Sequence, residues 1–185
     1  MEVLVDVDER ELISRSCAGD LDAFDHLVRV HQDRIYNVAY RLTGNHEDAS
    51  DAAQDAFVRA FQALPRFRRD AAFSTWLYRI ATNAALDLVR RRPAVPPMEL
   101  SVDQPGPSDP EAEVHRREVH RRVHAAVGHL PAEYRAVVVL RGLQGLAYEE
   151  IARVLQIPIG TVRSRLSRGR ETLRALLTDL VVTEG

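Results

Sequence analysis

Seven residues near the end of the chain, Thr161, Arg163, Ser164, Arg165, Ser167, Arg168 and Arg170, crowd guanidinium and hydroxyl groups into a short stretch. Between them Val162, Leu166, Gly169, Leu173 and Leu177 recur in steps of four, three, four and four, the spacing of one helix face. A helix with one face for a core and another of arginine and hydroxyl groups has the chemistry of a major-groove reading head. The competing reading is a solvated basic face. What precedes it favours the first: Ile151, Ala152 and Leu155 mark a short amphipathic helix, followed by a tight turn at Gln156-Ile157-Pro158. The pattern is helix, turn, helix.

A second cluster lies mid-chain, where Arg66, Phe67, Arg68, Arg69 and Phe73 lead into a helix carrying Trp76, Arg79 and Asn83 on one face. Rings beside arginines suit unpaired bases, which stack on the rings while guanidinium groups hold phosphate. Membership of the core is the alternative, strong for Phe73, fair for Trp76 and weak for a loop of three arginines. A third cluster is acidic. Asp48, Asp51 and Asp55 fall at i, i+3 and i+7 with Gln54 beside them, on the expected outer face of a helix whose inner stripe includes Ala49, Ala53, Ala56, Phe57 and Ala60. The carboxylates are expected to be exposed and unpaired along their own helix. They are either a solvated surface or a docking face for a basic partner.

Other chemistry is poorly supplied. His120 and His124 lie four apart, but no carboxylate or cysteine set completes a metal site and four nearby arginines would repel a divalent cation. No glycine loop for phosphate, no nucleophile elbow and no paired-acid arrangement stands out. Neither catalysis nor a cofactor or metal is expected. The single cysteine, Cys17, cannot form an internal disulfide and suits a buried small side chain. No run approaches the roughly 18 apolar residues of a membrane span. The opening MEVLVDVDERE is acidic where a secretory signal is basic, which predicts a soluble protein of the cytoplasm.

The elements that must position these clusters are all helical. Asp8, with Glu11 at the capping-box position, opens a helix that Gly19 closes, and Asp20 caps a second that stops at Gly44. A third helix spans 45–64 and ends at Pro65; a fourth spans 74–92. Residues 93–110 hold six of the nine prolines among acids, serine and glycine, the composition of an extended acidic linker. Beyond it come an amphipathic helix ending at Gly128, a helix 132–143 with Pro131 in its first turn, and the helix-turn-helix. The expectation is an all-α chain of a four-helix domain (1–92), a flexible linker (93–113) and a helix-turn-helix domain (114–185). Net charge is only −2, yet its distribution is telling. Every basic residue is arginine; residues 66–92 and 115–185 are net positive, and the linker between them has no arginine at all. Segment charge speaks to partners better than the total does.

Three stretches, RLTGNHEDASDAAQDAFVRAFQALPRF, FSTWLYRIATNAALDLVRRR and LPAEYRAVVVLRGLQGLAYEEIARVLQIPIGTVRSRLSRGRETLRALL, resemble in that order the extracytoplasmic-function sigma factors of bacterial RNA polymerase. The resemblance implies that Asp48, Asp51, Gln54, Asp55 and Phe57 dock on the coiled coil of the polymerase's largest subunit. It also implies that Arg66, Phe67, Arg68, Arg69, Phe73, Trp76, Arg79 and Asn83 capture a flipped minus-ten base and help melt the duplex. Thr161, Arg163, Ser164, Ser167 and Arg168 would read the minus-thirty-five element, with Arg165, Arg170 and Arg174 available for phosphate. Further implied partners are the flap of the second-largest subunit, promoter DNA and an anti-sigma factor. The chain departs from the family at Ala147, where Ser or Thr often caps a helix, and at Gln156, where glycine is common. The alternative is a stand-alone helix-turn-helix regulator that binds a palindrome. It gives the acidic helix and the arginine-aromatic loop no task.

Overall fold

Each helix starts and stops where a local signal can be named. The structure, a computed structural model, describes residues 8–91 and 110–182. Helix α1 (Glu9–Cys17) opens on Asp8, whose carboxylate accepts from Arg10 N at 3.1 Å, a simple N-cap in place of the expected capping box with Glu11. Asp20 caps α2 (Leu21–Thr43) by accepting from Ala23 N at 3.0 Å, and Gly44 ends it at φ 85°, a left-handed backbone that glycine adopts without a Cβ clash. Asn45 then opens α3 (His46–Ala63) with a reciprocal pair: Asp48 N donates to Asn45 Oδ1 at 2.8 Å and Asn45 Nδ2 donates to Asp48 Oδ2 at 2.7 Å. A 3₁₀ turn, Leu64–Arg66, leads through the basic loop to α4 (Phe73–Arg91).

The inner stripe of α3 is almost all alanine, with Ala49, Ala52, Ala53, Ala56 and Ala60 buried. Small side chains let α3 approach α2 and α4 closely, while Leu27, Ile35, Leu42, Leu64 and Leu77 supply the volume. Each such leucine or isoleucine contributes about 1.5–3 kcal/mol by leaving water.

The second bundle comprises α5 (Pro110–Gly128), α6 (Ala132–Gly142), α7 (Tyr148–Leu155) and α8 (Ile159–Val182). Pro110 heads α5, where its missing N–H costs nothing, so the helix begins three residues before the expected end of the linker. Most of that linker lies outside the described residues. Pro131 is the N-cap of α6 rather than part of its first turn. The core here is Leu130, Val137, Leu140, Ile151, Val154, Val162 and Leu166. Among the described residues no helix is long and apolar enough to cross a membrane.

The two bundles are in contact, which the sequence did not suggest. Helix α7 packs on α4, and α5 and α6 pack on α2. Arg135 of α6 donates from Nη1 to Leu42 O at 2.6 Å, at the end of α2, and from Nη2 to Leu130 O at 3.1 Å. Its positive charge thus stands where α2 exposes its unsatisfied carbonyls.

Candidate nucleic-acid interface

Helix α8 is seated by its apolar stripe. Val162, Leu166 and Gly169 are buried against α6 and α7, and Leu173 packs beside them. At Gly169 the approach is so close that an added Cβ would stand 2.8 Å from Val138 Cγ2. This clamp leaves Arg163, Ser164, Ser167, Arg168 and Arg170 exposed, with Thr161 half-buried in the first turn. Arg165 differs from its neighbours, being half-buried with Nη2 3.1 Å from Glu133 of α6. Its guanidinium ties α8 to α6, so it is not the free phosphate contact expected of it.

The turn before α8 is made by Gln156 at φ 54° and ψ 44°. A non-glycine side chain in the left-handed region carries some strain. Ala147 supplies no side-chain cap to α7, as its methyl group dictates, but Glu150 Oε2 accepts from Ala147 N at 2.8 Å and restores one half of a capping arrangement.

At the mid-chain cluster, Phe67, Phe73 and Trp76 form a ring group, with centroids 4.9 Å apart for Phe67 and Trp76, 5.5 Å for Phe73 and Trp76 and 5.7 Å for Phe67 and Phe73. Phe73 is only 5 % exposed and also meets His31, so it supports the cluster from the core and offers no face for a base. Phe67, Trp76 and Arg79 are half-buried, and Arg66, Arg68, Arg69 and Asn83 are exposed. A cleft of about 350 Å³ is lined by Arg66, Phe67, Arg68, Trp76 and Arg79, whereas Arg69 and Asn83 are not part of its wall. Asp70, Ala71 and Thr75 complete its wall, joined by Arg153 from α7. Those last four were missed, Arg153 because it is 74 positions from Arg79 in sequence and reaches the cleft only through the contact of the two bundles. Among the described residues Arg66, Arg68, Arg79 and Arg153 have no carboxylate within ion-pair distance, which leaves their charge for an anion.

The acidic helix is corrected in detail. Asp48 is 4 % exposed and belongs to the Asn45 cap, not to an outer face. Asp55 is paired along its own helix, with Arg59 Nη2 at 2.6 Å. Asp51 and Gln54 are exposed as expected, and Phe57 is half-buried against the core. Beside them stand Val58, 55 % exposed, and Phe61, 36 % exposed. These apolar side chains make the face acidic and greasy together, the mixture of a partner surface rather than a purely solvated one. Their signal was present in the sequence, since both fall outside the alanine stripe.

The histidines hold a different surprise. His124 is 3 % exposed, its ring 4.9 Å from that of Tyr40, and neither ring nitrogen has a hydrogen-bond partner. Burial, and then the charges of Arg41 and Arg135, push its pKa down to about 4. Among the described residues no group of three metal-capable side chains gathers.

Two family models match this chain, Sigma-70 region 2 over residues 27–94 and Sigma-70, region 4 over residues 120–173. The ECF RNA polymerase sigma factor SigW of Bacillus subtilis is 37 % identical, over 97 % of this chain and 100 % of its own. The RNA polymerase sigma-H factor of Pseudomonas aeruginosa is also 37 % identical, over 97 % of this chain and 98 % of its own. With SigE of Mycolicibacterium smegmatis the identity is 43 %, over 85 % of this chain but only 62 % of that longer relative. Among solved structures, CnrH in complex with the cytosolic domain of CnrY matches with a TM-score of 0.70 and 31 % identity, over 92 % of this chain and 97 % of that one. RpoE of Bartonella quintana, in complex with the anti-sigma factor NepR, has the same fold with a TM-score of 0.70 and 24 % identity, over 85 % of this chain and 98 % of its own. Both regions stand in order on one chain, and full-length relatives align from end to end: the chain belongs to the extracytoplasmic-function group of the sigma-70 family of RNA polymerase sigma factors.

Proposed function

We propose that the chain binds core RNA polymerase and reads promoter DNA at two places, while the polymerase performs the chemistry. The N-terminal bundle docks on the polymerase through Asp51, Gln54, Asp55, Val58 and Phe61 and captures an unpaired minus-ten base in the cleft beside Trp76. The C-terminal bundle reads the minus-thirty-five element with Thr161, Arg163, Ser164, Ser167 and Arg168, while Arg170 holds phosphate. Segment 92–109 joins the two. The observation that carries this reading is the pairing, on one chain, of a ring-and-arginine cleft with a separate arginine-hydroxyl helix face. A lone operator-binding regulator needs only the second. Flipping a base costs a few kcal/mol, which stacking on Trp76 and contact with the unpaired arginines can offset. CnrH and RpoE are each held by a partner in the matched structures, and an anti-sigma factor is the corresponding partner proposed here. Such a protein works in the cytoplasm, at the nucleoid.

Promoter opening tests the assignment of the two readers. Trp76→Ala should slow opening while leaving the initial binding of closed duplex nearly unchanged. An unaltered opening rate would remove Trp76 from the melting role.

A further inference from the structure

Helix α1 takes no part in either reader, yet it supports the basic loop between α3 and α4 at both ends. At the entry, Cys17 Sγ donates to Leu64 O at 3.4 Å, and Leu64 is fully buried in the 3₁₀ turn that leads into the loop. At the exit, His31 Nε2 donates to Glu9 Oε1 at 2.8 Å, and the His31 ring lies 5.4 Å from that of Phe73, the first residue of α4. Glu9 is the first residue of α1 and Cys17 its last, so one short helix of about 12 Å reaches both anchors. His31 is only 4 % exposed, and the carboxylate of Glu9 satisfies a ring nitrogen that burial takes from water. Between the anchors Arg69 stands at φ 56°, a left-handed backbone that a non-glycine residue keeps only when its surroundings hold it there.

We propose that α1 braces the strand-reading loop, with Glu9 and His31 as positioning residues that set the place of Phe73 and, through it, of the Trp76 ring. The proposal rests on the minus-ten reading of Trp76. A base that stacks on a ring gains most when the ring is already in place, because immobilising a side chain at the moment of capture costs entropy. Phe73 is too buried to meet the base, but its ring centroid lies 5.5 Å from that of Trp76 and backs it from the core. His31 backs Phe73 in the same way from α2. The bond from Nε2 to Glu9 fixes the orientation of the imidazole, since the two ring nitrogens are not equivalent. The Cys17 contact holds the other end, so the loop keeps its left-handed turn at Arg69 between two fixed points. A reading ring held by packed neighbours, themselves held by hydrogen bonds, is pre-organised for its ligand.

Trp76 is the single tryptophan of the chain, so its fluorescence reports on the brace directly. Glu9→Ala removes the carboxylate from a side chain that is 51 % exposed and should leave the fold intact. Glu9→Gln keeps an acceptor for His31 Nε2, and His31→Phe keeps a ring against Phe73 without the bond. In the free full-length chain, acrylamide should quench Trp76 more readily in Glu9→Ala and His31→Phe, with Glu9→Gln close to the unaltered chain. Joined to core polymerase, the same two variants should open a promoter roughly three- to tenfold more slowly, the range of one hydrogen bond, with binding of core and of closed duplex unchanged. A purely structural pair would lower the melting temperature and leave quenching and opening as they were, and that result overturns the proposal. So does a Glu9→Gln variant as slow as Glu9→Ala. Because the brace acts through one ring, Glu9→Ala added to Trp76→Ala should slow opening little beyond Trp76→Ala alone; fully additive slowing would overturn it. Should Trp76→Ala alone open promoters at the unaltered rate, the minus-ten reading fails, while the quenching result still decides for or against the brace.

Discussion

Arg165 and Arg168 share one helix and one side-chain chemistry, yet their surroundings give them different work. Arg168 is exposed with its guanidinium unpaired among the described residues, whereas Arg165 is held by Glu133. Arg168→Ala should cost about 1–3 kcal/mol of discrimination between right and wrong base pairs if it meets a guanine. Equal losses on specific and random duplexes would make it a phosphate contact. Arg165→Ala should leave base preference intact and lower thermal stability by less than ~1 kcal/mol, because the Glu133 side chain is 64 % exposed. His124 makes a prediction with a sign. Its pKa lies near 4 in the folded chain against an ordinary value of 6.5, so the unfolded chain binds the extra proton first. The stabilisation is fully present above about pH 6.5 and falls away as pH drops towards 4. Urea midpoints across that range should decline, and His124→Phe should flatten the decline. Little of this was legible beforehand. The same letters, Asp in a row of Asp or Arg in a row of Arg, become cap, ion pair or free contact only through neighbours distant in sequence.

The helices themselves were largely legible, because their stop and start signals act within a few residues. Asp20, Gly44 and Asn45 set their boundaries by hydrogen bonds and a left-handed φ that need no tertiary partner. Face assignments were less secure at the edges. The first helix of the motif buries Ile151 and Val154 and leaves Ala152 and Leu155 half-buried, a small rotation from the expected stripe. The seating of α8 depends on one glycine. Gly169→Ala should push against Val138 and destabilise the C-terminal bundle by about 1–3 kcal/mol, and adding Val138→Ala should recover part of the loss. A melting series of the two single variants and the double variant checks this; additive losses would show that the clash is not what matters. On α3, Asp51→Arg with Phe61→Ala should weaken core-polymerase binding at least tenfold while duplex binding through α8 persists. Asp51 is the better choice than Asp55, whose loss would also leave Arg59 with only the longer contact to Asp87, at 3.7 Å.

Considered as one molecule, the chain carries two readers that cannot work together in the closed arrangement. Promoter elements named for positions ten and thirty-five lie some 25 base pairs apart, roughly 85 Å of duplex. A compact chain of this size has a radius of gyration of about 16 Å. The bundles must separate, and segment 92–109, which can reach at most about 65 Å, sets the limit. The all-helical class and the order of the two regions were readable from the sequence, since both rest on local periodicity and motif. The seam between them was not, for it joins Thr75 to Glu150 and Leu42 to Arg135 across positions that no pattern links. The same holds for the share of Arg153 in the cleft.

This chain gives core RNA polymerase its choice of promoter. Run-off transcription with core polymerase over a library of promoter sequences tests it most directly. Products should require the chain and come from templates sharing two short elements at a fixed separation. An absence of core-dependent product, together with tight binding of the chain alone to a two-fold palindrome, would contradict it.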